Sequence, residues 1–164
     1  MRIEDLPNKT MAEILSDSSL DAHRVFDLAN LYSDNTKYTQ ILQNRELFAR
    51  NGTVVKIVEM EPLEYIEKCN KGFNTTSEKN FSKLSLDSVM HYVEGMRNGN
   101  QKFPLPILVY NHVRRTFLQE GRHRAVAAYY IGFSTSPVCI IDIYNQNTLD
   151  MIDNKWQDSN PNRR

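Results

Sequence analysis

The residues in this chain best suited to chemistry stand in a row: Glu120, Gly121, Arg122, His123 and Arg124. The following Ala125-Val126-Ala127-Ala128 suits a helix that begins just after Gly121. A helix start presents backbone N–H groups without intrahelical partners and about half a positive charge. Arg, His and Arg in its first turn oppose that field, at a cost of about 0.3–1 kcal/mol per exposed cation. Two readings follow. In one, the arginines reach into water or pair with nearby acids. In the other, the turn is built for an anion. A phosphate would take the N–H groups, two guanidinium forks and an imidazolium together. A glycine before the turn lets the backbone come close to such a ligand. The stretch from His112 to Arg124 holds four arginines and one glutamate, so the positive charge is local.

The elements that must position this corner can be read from pattern. Thr53 to Met60 is a strand rich in β-branched residues, opened by the Asn51-Gly52 turn. Glu61-Pro62 starts a short helix with proline at its first position, running to about Cys69. Ser85 caps a helix with an apolar stripe from Leu86 to Met96, closed by Asn98-Gly99. Pro106 to Tyr110 and Arg115 to Gln119 are strands, and Arg122 to Ile131 is a helix that Gly132 ends. Pro137 to Ile143 is a last buried strand. The strand, helix and strand from Arg115 to Ile143 form a crossover unit, with alanines that allow close approach to a sheet. The expected fold class is α+β, a mixed α/β arrangement in which a small sheet carries flanking helices.

The first fifty residues read as a helical extension. Thr10 and Glu13 have capping-box spacing, and Ala22, Val25, Phe26, Ala29 and Tyr32 follow one helix face. Tyr38, Ile41, Leu42, Phe48 and Ala49 form a second stripe. These faces pack on the main domain, on each other, or on a second copy as a homo-oligomer. The expected division is 1–50 for the extension, 51–145 for the main domain and 146–164 for a polar tail.

Composition excludes several classes. Lys plus Arg equal Asp plus Glu at 20 each, so no global charge draws nucleic acid or an anionic membrane. No apolar run approaches the roughly 18 residues of a membrane span. The start of the chain lacks the layout of a signal peptide. Cys69 and Cys139 are far apart without a CxxC partner, which points to an intracellular, cytoplasmic setting with no disulfide framework or zinc site. His123 has no second His or Cys at ligand spacing.

The run Glu120-Gly121-Arg122-His123-Arg124-Ala125-Val126-Ala127-Ala128 resembles the signature of the ParB/sulfiredoxin-like superfamily, over residues 53–144. It is most similar to small ParB-like proteins common in bacteriophages and bacteria. The resemblance implies a phosphate or nucleotide site at this corner, in a bacterial or phage-infected cell. Sulfiredoxins keep a catalytic cysteine where this chain has Arg122, so sulfinic-acid reduction is not expected. Chromosome-partitioning ParB reads Gly-Glu-Arg-Arg and binds cytidine triphosphate; Gly121 and Arg124 match, whereas Arg122 and His123 depart. The twenty residues after Tyr144 leave no room for that protein's helix-turn-helix domain, so a partitioning role is not expected. The family also includes kinases and proposed nucleases with an acid just before the glycine, where Glu120 stands.

The implied roles follow residue by residue. Gly121 and the backbone of Arg122 and His123 cradle phosphate oxygens, and His123 and Arg124 neutralise them. Arg122 meets a second phosphate or the substrate. Glu120 is the candidate catalytic residue, as a base or a Mg²⁺ ligand, or else an ion-pair partner for Arg114 or Arg115. Thr75, Thr76 and Ser77, in a polar loop from Lys71 to Lys83, are candidates to close over the ligand, the plainer reading being solvated hydroxyls. The expected cofactor is a nucleoside triphosphate, ATP or CTP, with Mg²⁺. Three functions compete: phosphate transfer or hydrolysis, a DNA-binding or nuclease role, and a non-catalytic nucleotide-sensing or oligomeric module. Charge favours the first over the second. Residues 53–144 hold eleven Lys and Arg against nine Asp and Glu, too even for a broad DNA footprint.

Overall fold

A computed structural model of the chain describes residues 20–29, 31, 42–73, 85–99, 101–147 and 150. Among the described residues two short helices come first, α1 (Ala22–Val25) and α2 (Arg45–Arg50). Strand β1 (Thr53–Met60) follows, then α3 (Pro62–Lys71) and α4 (Leu86–Asn98). The chain continues through β2 (Ile107–Asn111), β3 (Thr116–Glu120), α5 (Arg122–Ile131) and β4 (Ser136–Ile143). The architecture is α+β, with one four-stranded mixed sheet in the order β1-β4-β2-β3.

Local rules explain the ends of the elements. Pro62 sits in the first turn of α3, where its missing N–H costs nothing. The Ser85 hydroxyl accepts from the Ser88 amide at 3.3 Å and caps α4. Gly132 ends α5 in the left-handed region at φ 94°, its amide reaching the carbonyls of Ala128 and Tyr129.

Two expectations are corrected. The unit from β3 through α5 to β4 does not join neighbouring strands. β3 pairs antiparallel with β2, β2 pairs parallel with β4, and β4 fills the gap between β1 and β2. The chain therefore crosses over β2, and β3 and β4 run in opposite directions. The helical face from Ala22 to Tyr32 also ends early: α1 stops at Val25, and Phe26 turns extended. The Phe103 amide donates to the Val25 carbonyl at 2.9 Å, and the Asp27 amide donates to the Phe103 carbonyl at 2.8 Å. This tertiary ladder takes the backbone groups that a longer helix would have used. Thr10, Glu13, Tyr32, Tyr38 and Ile41 lie outside the described residues.

The core is continuous from one end of the described chain to the other. Val25, Phe26, Leu42 and Phe48 belong to the same buried cluster as Ile66, Val89 and Ile141. Phe103 works on both sides: its backbone holds the Phe26 segment, and its ring packs 5.7 Å from Tyr92, where Gly95 leaves room. Helix α5 lies against both α3 and α4. The buried Ala125, Ala127 and Ala128 let the helices approach closely.

Because Phe26 is fully buried, Phe26→Ala should cost about 3–5 kcal/mol of stability. Denaturant unfolding should show one transition shifted as a whole. A wild-type midpoint in the variant would mean that the early segment is detached from the core.

Candidate functional site

The corner between β3 and α5 is organised from inside. Gly121 has φ 114°, and a Cβ there would sit 2.8 Å from the Pro106 Cα and 2.8 Å from the Arg124 guanidinium. Glycine is therefore required by the close passage of the segment leading into β2, whatever binds outside. Arg124 is buried and forks onto Glu120, with Nη1 donating to Oε1 at 3.0 Å and Nη2 to Oε2 at 2.6 Å. Its Nε donates to the Pro104 carbonyl at 2.9 Å and its Nη2 to the Leu105 carbonyl at 3.3 Å. Burial works against the Arg124 charge, but the Glu120 hydrogen bonds and charge outweigh it and push the guanidinium further up.

These contacts reassign two residues. The arginine that pairs with Glu120 is Arg124, four residues on, rather than Arg114 or Arg115. Arg124 is spent on holding the corner, so it is not poised to neutralise a ligand. Beneath them the Tyr65 hydroxyl lies 3.1 Å from the Ile107 carbonyl and 3.0 Å from the Glu120 carbonyl. Ile107 and Glu120 are partners across β2 and β3, so one phenol proton serves the end of the ladder. Burial holds the Tyr65 phenol well above its usual range.

The outer side of the corner is the start of α5. Its N-cap residue is Gly121, which has no side chain to cap it, and its first turn contains no acid. His123 reaches across to α4, where its Nε2 accepts from the Ser85 amide at 3.2 Å. An accepting Nε2 carries no proton. Burial, Arg122 and Arg124 all lower the His123 pKa, in that order. The expected imidazolium is thus a neutral imidazole that bridges the starts of α5 and α4. Burial pushes the Cys69 thiol up to about 12, against the opposing Tyr65 hydrogen bond and Arg122 charge. It is therefore protonated at neutral pH. Thr75, Thr76 and Ser77 lie outside the described residues.

A second cluster escaped the reading of the sequence. His112 Nε2 lies 2.7 Å from Asp142 Oδ1, with the two side chains 29% and 11% exposed. The His112 ring stacks on Tyr144, centroids 4.3 Å apart and planes 9° from parallel. His112 and Asp142 lie thirty residues apart, and only the parallel pairing of β2 with β4 brings them together. Tyr110, Phe73 and Arg115 complete the group. Burial, helped by Cys69 and Asp142, raises the Tyr110 phenol to about 12.

Among the described residues no three His, Cys, Asp or Glu side chains stand together as metal ligands. No described helix is long and apolar enough to cross a membrane. Comparison with protein-family models, curated proteins and solved structures gives no match to this chain.

Arg124→Lys should cost about 1–3 kcal/mol, because an ammonium cannot serve Glu120 and two buried carbonyls as the fork does. Thermal unfolding would read this, and an unchanged melting temperature would refute the clamp. The depressed His123 pKa also sets a sign. Between its folded pKa and the unfolded value near 6.5, the unfolded chain binds more protons. Its contribution to stability is therefore present above that window and lost as pH falls through it. His123→Gln should flatten this part of a stability–pH profile.

Proposed function

We propose that this chain binds the phosphate of a nucleotide at the start of α5, within a ParB/sulfiredoxin-like frame. The observation that carries the reading is the start of the ten-residue helix α5, which has a glycine at its N-cap, no acid in its first turn, and Arg122 and His123 there. A phosphate there accepts from first-turn amides and takes the Arg122 guanidinium. The Ser85–His123 hydrogen bond draws the start of α4, whose first turn carries Asp87, to the same place.

Within this reading Arg124 and Glu120 are positioning residues. Gly121 carries the tight corner, and Arg122 and His123 face the anion. The chain then acts as a nucleotide-binding module rather than through Glu120 as a base. One observation favours the enzymatic alternative: the Glu120 side chain remains 38% exposed despite its pairing. From there it could hold Mg²⁺ on a triphosphate, with phosphoryl transfer resting on positioning and charge neutralisation.

Thermal shift with inorganic phosphate, ATP, CTP and GTP, each with and without Mg²⁺, tests the proposal. A ligand at a hundred times its Kd adds about 2.7 kcal/mol. The stabilisation should disappear in Arg122→Ala. No shift with any of these ligands would sink the reading. Glu120→Gln separates the alternatives. A binding module keeps its ligand shift at a lower starting melting temperature, whereas an enzyme loses nucleotide hydrolysis while still binding.

A further inference from the structure

The end of the sheet opposite the α5 corner carries an aromatic platform. β2 and β4 run parallel, and their last pair is Asn111 opposite Ile143, so His112 and Tyr144 leave the sheet side by side. Their rings stack almost parallel at 4.3 Å. Behind them Asp142, nearly buried, holds the imidazole at 2.7 Å, and the Phe73 ring closes edge-on at 5.3 Å. The Tyr144 amide donates to the Gly52 carbonyl at 2.8 Å and anchors the backbone. Tyr144 is thus held on one side, yet the residue is 56% exposed. A ring fixed before binding loses little conformational freedom when a second ring stacks on it.

Two arginines stand beside the platform. Arg114 and Arg115 stand exposed in the turn between β2 and β3. No carboxylate among the described residues pairs with either, and the Arg115 guanidinium lies 4.6 Å over the Phe73 ring. Arg115 takes φ 56°, a left-handed conformation that non-glycine residues seldom adopt, and this places its side chain there. Asp142 is answered by His112 and by Lys56 at 3.9 Å, and Asp150 accepts from the Gln146 amide.

We propose that this end of the sheet binds single-stranded nucleic acid, with a base stacked on Tyr144 and flanking phosphates on Arg114 and Arg115. Every base offers a π-face, and guanidinium groups that no described carboxylate holds can follow the backbone, which is the chemistry such strands need. A duplex does not fit, because its bases already stack on each other. The platform is separate from the phosphate corner: β2 lies between them, about 13–16 Å of strand. The proposal stands independently of the nucleotide reading.

The test is fluorescence anisotropy with the full chain and labelled single strands of mixed sequence, titrated over a range of salt. Tyr144→Ala should weaken binding about 5- to 150-fold, while Tyr144→Trp should match or exceed wild type. Arg114→Ala should reduce the slope of log K against log salt by about 0.7, the value of one phosphate contact on a single strand. Arg122→Ala should leave strand binding intact, which separates this site from the α5 corner. The proposal falls if wild type does not retain the strand at low salt. It falls equally if natively melting Tyr144→Ala binds as well as wild type. A base-free polyanion such as polyphosphate, or the matching duplex, binding as tightly as the strand would also overturn it, by showing charge without stacking.

Discussion

The guanidinium of Arg124 ties together three pieces of chain that secondary structure alone leaves apart. It reaches the end of β3 through Glu120, the start of α5 through its own backbone, and the approach to β2 through the carbonyls of Pro104 and Leu105. Those carbonyls lie in a segment bounded by Pro104 and Pro106, which have no N–H to join a ladder. A buried cation with so many acceptors is worth keeping because removing either partner leaves a desolvated charge or unpaired carbonyls. Gly121 follows from it: the corner is so tight that a methyl group would strike both Pro106 and Arg124. The basic turn that looked out of place at a helix start is therefore divided, with Arg124 buried in the clamp, His123 reaching the start of α4 and Arg122 half-buried.

That division explains what could be read in advance and what could not. Elements set by near neighbours were legible. Pro62 opens α3, Ser85 caps α4, Gly121 and Gly132 bracket α5, and β1 and β4 announce themselves by β-branched runs. Features set by distant partners were hidden. Nothing local says that α1 yields to Phe103, that β4 inserts beside β1, or that His112 meets Asp142. Arg124 lay in plain sight, but its buried acceptors belong to residues twenty positions earlier.

The two ends of β2 show how one sheet can present unlike surfaces. At the Ile107 end, backbone carbonyls, a phenol and a clamped ion pair make a rigid polar corner beside a helix that starts at a glycine. At the Asn111 end, flat rings pile on a carboxylate-held imidazole. The first suits an anion by field and amides, the second a planar group by area and orientation.

The strand order also bears on how the molecule comes to exist. β1's ladder partner is β4, and Thr53 finds its register opposite Ile143. During synthesis β1 must wait, unpaired, while the helices and the β2–β3 hairpin emerge, and only the arrival of β4 joins it to them. Such late, long-range closure is slow, and it leaves an apolar strand edge open to other chains meanwhile. Vulnerability to misassembly is thus concentrated in the interval before Ser136–Ile143 slides between its neighbours.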